Sequence, residues 1–296
     1  MPLRKLPVAC LWLAALLAST ALGYEGEQHQ QLTFLAAKHF NQCVADTDIP
    51  RLTPLQVRYM ARSNVRQAER NLFSRMFNWR YYDRGGQKSR SLLWLIDTRF
   101  HDHFRDVQKR LERSSPAAPP AERYSDLGSL IGYIQLVTSP AHAVPVYTTR
   151  WWRFSVSDRF DDYPVDNAAV EAALGDDCDF LAFGALRFQQ ILTSTADDTL
   201  AAVRAPIAGL PTTWQAFWQP DRDDDDFGEY GPAGNNFGRA TRFRCGEGGE
   251  QECVLLDDDP LYAAFALARH LSAVRGSMHA MRLLQQSLEL EFANAD

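Results

Sequence analysis

Apolar side chains recur every three to four residues along most of the chain, and this spacing predicts amphipathic helices. In the first such segment, Leu32, Leu35 and Phe40 fall on one stripe. The same spacing predicts helices over 29–40, 54–73, 91–111, 125–139, 166–204 (in two pieces, broken near 175) and 260–292. A glycine-rich stretch near 227–256 has the character of short strands or irregular structure. We therefore predict an all-α fold, a multi-helix bundle with long loops and this one small insertion.

The beginning of the chain has the pattern of an export signal. A short basic stretch is followed by the apolar run 6–17 and then by small residues up to Gly23. This pattern predicts a signal peptide over 1–23 that is cleaved before Tyr24, with an uncleaved anchor as the alternative. The apolar run is short for a membrane span, and no later stretch approaches about 20 apolar residues. We expect a mature chain of one helical domain, 24–296, without a transmembrane segment.

The charge balance argues against one class of partner. The chain has 31 basic and 37 acidic residues, and two of the basic ones, Arg4 and Lys5, belong to the predicted signal. The mature protein is therefore acidic, whereas a surface that binds the nucleic-acid backbone needs a clustered positive field. We expect no binding of a nucleic-acid backbone.

Four cysteines remain after the predicted cleavage, and an even number in an exported protein favours two disulfides. Cys245 and Cys253 flank a flexible segment rich in glycine and glutamate, which lets them reach each other. That leaves Cys43 to pair with Cys178. Free buried thiols are the alternative.

One segment carries the resemblance to a known family. Residues 127–147 read LGSLIGYIQLVTSPAHAVPVY, which resembles the central segment of the zinc-dependent phospholipase C superfamily, to which the single-strand-specific nucleases also belong. In that family a His, an Asp four residues later and a second His after a proline point into one cleft that holds three zinc ions. The resemblance implies the same helical bundle for this chain.

Three further segments support the resemblance, which covers roughly residues 24–165. The stretch from Tyr24 to His29 resembles the mature N-terminus, where the family uses the first amino group and a nearby His as zinc ligands. Residues 78–83 and the stretch from Asp158 to Asp161 resemble two other ligand-bearing segments.

Several ligand positions of the family are replaced. Gly132 stands for the central His and Leu136 for the bridging Asp, while Arg80 and Ser157 stand for two other His residues. A side chain such as Leu136 cannot coordinate zinc, and a fixed positive charge at Arg80 repels a cation. We predict that the zinc cluster is lost and that no cofactor is bound, with zinc expected only if the family site is partly retained.

The candidate remnants of the cleft are Tyr24, His29, His142, Asp158 and Asp161. Each histidine has a second interpretation as a structural, hydrogen-bonded residue. The two aspartates have a second interpretation as solvated or arginine-paired acids. Arg80, between two aromatic residues, is either a candidate anion-binding residue or a stacked structural arginine.

The sequence thus favours a non-catalytic relative of this family, exported to the periplasm or secreted, that binds a lipid headgroup, a small anion or another exported protein. The alternative is a metal-dependent phosphodiester hydrolase with one reduced metal site formed by Tyr24, His29, His142 and Asp161. A structural envelope protein without a binding cleft is the third possibility.

Overall fold

The computed structural model describes residues 24–68, 82, 100–114, 118–146, 158–182, 187–221 and 227–293. Within these ranges it contains eight α-helices: α1 Tyr24–Cys43, α2 Pro54–Ala68, α3 Phe100–Arg113, α4 Pro120–Leu136, α5 Pro140–Ala143, α6 Asn167–Leu174, α7 Phe188–Arg204 and α8 Pro260–Ala293. Two strands, β1 Thr241–Cys245 and β2 Gln251–Leu255, pair as an antiparallel hairpin. The prediction of a mostly helical chain with a small strand-forming insertion is confirmed.

Three predicted boundaries differ from the observed ones. Helix α4 begins at Pro120 rather than at Ser125, because proline is compatible with the first helical turn, where its missing N–H needs no partner. Helix α1 begins at Tyr24, ahead of His29. The predicted break near Gly175 is present, with Gly175 ending α6 at a φ of 49°, but the next α-helix starts only at Phe188. The predicted helical residues 69–73 and 91–99 lie outside the described residues, as does the predicted signal peptide.

Helix α4 lies at the centre of the larger hydrophobic core. Every residue from Leu127 to Gln135 is buried, so this helix is covered on all sides and not on one stripe. Helices α2, α3, α7 and α8 pack around it. Burial of a leucine or isoleucine side chain stabilises the fold by about 1.5–3 kcal/mol, so this helix contributes a large part of the folding energy.

A second, aromatic core contains the hairpin. Phe160, Trp218 and Phe265 pack there against Phe237 with ring centroids between 5.4 and 5.7 Å from its own. Helices α7 and α8 contribute residues to both cores, since Ile191 and Val274 lie in the first and Val203 and Phe265 in the second. The two helices thus fix the aromatic core relative to the bundle.

Both predicted disulfides are present. Cys43 at the end of α1 is bonded to Cys178 after α6, across 135 residues of sequence, and Cys245 is bonded to Cys253 within the hairpin. The first bond joins the end of α1 to the segment after α6, and the second closes the hairpin on the side of the aromatic core.

Candidate functional site

The resemblance implies zinc ligands at two positions of α4, but the residues at these positions have no group that coordinates zinc. Gly132 is buried and Leu136 is half-buried, and both lie in the last part of α4. Their neighbour Gln135 is polar and is only 2% exposed. It lies between Ile134 and Leu136, and it organises the surrounding polar groups.

Gln135 forms a buried hydrogen-bond network with three other helices. Its Oε1 accepts from Asn64 Nδ2 of α2 at 2.7 Å and bonds His29 Nδ1 of α1 at 2.8 Å. Its Nε2 donates to Thr33 Oγ1 of α1 at 3.2 Å and to Ser277 Oγ of α8 at 3.1 Å. All the hydrogen-bonding capacity of this amide is therefore used within the protein.

The network also orients the His29 ring. Because the amide oxygen of Gln135 is an acceptor, Nδ1 of His29 is the donor in this contact. Thr33 Oγ1 donates to the His29 carbonyl at 2.8 Å and accepts from Asn64 Nδ2 at 2.9 Å. The partners that the structure describes in this network are amides, hydroxyls and a backbone carbonyl, whereas zinc prefers imidazole, thiolate and carboxylate ligands.

A second group surrounds His142, which lies in the short helix α5. Its Nε2 is 3.6 Å from Asp161 Oδ2, and both side chains are about nine-tenths buried. Asp161 Oδ1 accepts a hydrogen bond from Ser139 Oγ. The separation of His142 and Asp161 exceeds hydrogen-bond length, so their attraction depends on protonation of the imidazole. Ser139 donates to the carboxylate, which differs from the serine–histidine bond of a nucleophilic triad.

Asp158 is fully buried on the border of the aromatic core. Its Oδ2 accepts from Trp218 Nε1 at 3.0 Å and from Tyr230 Oη at 2.7 Å, and its Oδ1 accepts from the Phe160 amide at 2.9 Å. These bonds hold the turn 158–163 against the residues that follow α7. Asp158 is thus a structural carboxylate, whereas Asp161 faces His142.

The surviving ligand candidates do not assemble a three-ligand metal site among the described residues. Within those ranges, the group of His, Cys, Asp or Glu whose ligand atoms lie within 4.8 Å of one another is His39, Cys43 and Cys178. The two sulfurs are joined in a disulfide, and His39 Nε2 is 2.9 Å from the Asp177 carbonyl oxygen. His29, His142 and Asp161 form no such group there, so the residues that the structure describes do not fit a complete zinc site.

Some candidates lie outside the described residues. These are Arg80 and the replaced position Ser157. Tyr24 is the first residue of α1, and only its backbone is described.

Sequence reasoning assigned no role to four members of the network, Thr33, Asn64, Gln135 and Ser277. A signal existed for Gln135, which is a polar residue within the apolar stretch 130–137. Buried polar groups need hydrogen-bond partners, so such residues indicate a network. Its pairs could not be assigned from sequence, since Gln135 and Ser277 are 142 residues apart.

Comparisons with protein-family models, with curated protein sequences and with solved structures found no match. In the part of the chain that the structure describes, none of the helices is both long and apolar enough to span a bilayer.

Proposed function

We propose that this protein is an exported, non-catalytic binding protein built on a phospholipase C/nuclease-like helical scaffold. The observation that supports the proposal is the hydrogen-bond network around Gln135, which adjoins Gly132 and Leu136, the two positions of α4 where the resemblance implies zinc ligands. A zinc hydrolase lowers the pKa of a metal-bound water and clamps phosphate oxygens, and it needs three or four protein ligands per ion. An amide that already makes four hydrogen bonds provides none of these functions.

Export is supported by two features of the chain. The first 23 residues have the order of a secretory signal, and the two disulfides are typical of proteins that fold in an oxidising compartment. The proposed location is the periplasm or the exterior of the cell, after cleavage before Tyr24.

The proposed ligand is a lipid headgroup or another small anion. The planar guanidinium of an arginine binds phosphate and carboxylate groups through two parallel hydrogen bonds. Arg80, at a former ligand position, is the candidate for this role in the old cleft. Another exported protein is the alternative ligand.

The proposal is tested by the metal content and the activity of the mature protein, purified without chelators or a metal-binding tag. We expect less than one equivalent of zinc and no hydrolysis of phospholipids, single-stranded DNA or RNA. Zinc at about one equivalent, together with a phosphodiesterase activity that His142→Ala abolishes, would overturn it.

The pairing of His142 with Asp161 favours a second candidate, a phosphodiester hydrolase with one metal. A histidine and a carboxylate 3.6 Å apart are two suitable ligands for one ion. This candidate also requires His29 and the amino group of a mature Tyr24, and it predicts that His29→Ala and His142→Ala each lower the metal content. Asp162→Asn, in the same turn as Asp161 but exposed, is the matched control and should leave the metal content unchanged.

A further inference from the structure

A separate cavity lies near the opposite end of α4 from Gln135. It is half open to solvent and has a volume of about 230 Å³ between the end of α3, the start of α4, the start of α7 and the second half of α8. Its lining has a polar part, with Arg123 and Arg187, and an apolar part, with Leu111, Phe188 and Leu284. None of these residues belongs to the network around Gln135 or to the group around His142.

The polar part of the cavity contains a preorganised guanidinium. Arg123 is 6% exposed, and it donates from Nε to Ser114 Oγ at 3.3 Å and from Nη2 to the Ser114 carbonyl at 3.5 Å. These contacts hold the group at the cavity wall, which lowers the entropy lost when it binds a ligand. Arg187, which immediately precedes α7, is exposed and adds a second positive charge at the rim.

The apolar part of the cavity is a fixed wall of the larger core. Leu111, Phe188 and Leu284 are each less than 7% exposed, and Leu283 beside them is half-buried. A wall of buried core side chains keeps its shape without a ligand, as most small-molecule sites do. It offers an apolar surface directly beside two guanidinium groups.

Glu112 adds a negative charge to the lining that contains the two arginines. Glu112 also lines the cavity, where it is exposed and accepts from Gln108 Nε2 at 2.7 Å. The described lining therefore combines two guanidinium groups with one carboxylate, which suits an anionic ligand better than a cationic one. The volume is somewhat below the usual range of about 300–1,000 Å³ for ligand pockets, so it fits a headgroup with a short alkyl chain.

We propose that this cavity binds the anionic end of a single-chain amphiphile, with the headgroup on Arg123 and Arg187 and the alkyl chain on Leu111, Phe188 and Leu284. The shared ligand chemistry is an anionic group attached to an alkyl chain, from either a fatty carboxylate or a lysophospholipid phosphodiester. This inference rests on the proposed binding function, for which it supplies a site and a ligand class.

The test is titration calorimetry of the mature protein with octanoate, octanol, butyrate and monooctanoyl phosphatidylglycerol. Octanoate should bind more tightly than octanol, which lacks the charge, and than butyrate, which lacks most of the chain. Tighter binding of the phosphatidylglycerol than of octanoate would identify a lipid headgroup as the source, and the reverse order would identify a free fatty acid.

Variants then assign the binding to the cavity. Arg187→Gln, at an exposed position that should not affect folding, should weaken octanoate binding about fivefold and leave octanol unchanged. Glu112→Gln should strengthen octanoate binding by a similar factor. Arg123→Gln should weaken it about tenfold or more, provided that thermal unfolding shows an intact fold. Arg204→Gln, an exposed arginine in the last turn of the same helix α7, is the matched control.

Two results would overturn the assignment. One is the absence of octanoate and phosphatidylglycerol binding, and the other is binding that Arg187→Gln and Arg204→Gln weaken equally. Neither result bears on the loss of catalysis, which the zinc and phosphodiesterase measurements decide separately. Failure of the cavity and failure of the proposed function are therefore distinguishable.

Discussion

Gly128 of α4 lies directly against the backbone of Met60 in α2. A Cβ built on Gly128 would be 2.3 Å from the Met60 carbonyl oxygen and 2.6 Å from its Cα. Neither atom belongs to a flexible side chain, so the two helices approach this closely because residue 128 has no side chain. The position of α2 on the central helix, and with it that of Asn64, depends on this contact.

Gly128→Ala should destabilise the protein. A methyl group here forces the helices apart, and overpacking of this kind costs about 1–3 kcal/mol or more, which exceeds the gain of about 1 kcal/mol in helix propensity. The free energy of unfolding from urea denaturation measures the effect. Gly276→Ala is the comparison, because its nearest neighbours are side-chain atoms of Ile134 and Thr195 and not backbone atoms. An equal or smaller loss for Gly128→Ala than for Gly276→Ala would contradict the backbone contact.

Asp158→Asn should also destabilise the fold. The carboxylate accepts hydrogen bonds from the buried Trp218 side chain, from the Phe160 amide and from the half-buried Tyr230, and an asparagine amide places its own N–H groups against at least one of these donors. Leaving one buried donor without an acceptor costs about 1–3 kcal/mol. Asp176→Asn, at an exposed position after α6, should change the free energy of unfolding by less than about 0.5 kcal/mol. A similarly small change in the free energy of unfolding for Asp158→Asn would mean that the Asp158 carboxylate is not required for stability.

The stability should fall as the pH falls below about 6.5, because of His270. Burial lowers the pKa of this histidine from 6.5 to about 4, and its Nε2 has no hydrogen-bond partner among the described residues. The unfolded chain therefore binds a proton in a pH range where the folded chain does not. The contribution of His270 is fully present above pH 6.5 and is lost progressively toward pH 4, by about 3 kcal/mol in total.

Urea denaturation at about pH 7.5 and about pH 5 tests this linkage. The wild type should lose about 2 kcal/mol from His270 over this interval, and His270→Phe should lose correspondingly less. Burial also lowers the pKa of His279, so the variant retains part of the pH dependence. Identical pH dependence in the two proteins would show that His270 does not titrate as its burial requires.

The two disulfides should differ in their contribution to stability. In the chain-entropy account, a bond across 135 residues stabilises by about 5 kcal/mol and one across 8 residues by about 2.5 kcal/mol. The double variant Cys43→Ala/Cys178→Ala should therefore have a lower Tm than Cys245→Ala/Cys253→Ala. The reverse order would indicate that the hairpin bond is the more important one.

The helices could be predicted from the sequence because the spacing of apolar residues is a local signal. The disulfide pairs could be predicted because only four cysteines remain to be paired. Apolar spacing located the helices, and with four cysteines the short separation of Cys245 and Cys253 settled both pairs. Periodicity failed at the ends, where Pro120 extends α4 beyond the predicted start at Ser125.

The site was less accessible because it depends on contacts between distant segments. The orientation of His29 requires Gln135, and the hydrogen bonds of Asp158 require Trp218 and Tyr230, which lie 60 and 72 residues further along the chain. A single sequence identifies the residue types but not these partners. The cavity beside Arg123 could likewise not be predicted from the sequence, because residues of four separate helices form its walls.

The bond between Cys43 and Cys178 gives the chain the topology of a ring with two tails. The ring contains α2 to α6, and the tails are the part up to α1 and the part from α7 onward. A protease that cuts once inside the ring, for example at the proline-rich segment 114–120, opens the ring but releases no fragment. A nicked molecule of this kind remains one covalent unit, and it separates into two pieces only when a reductant breaks the bond.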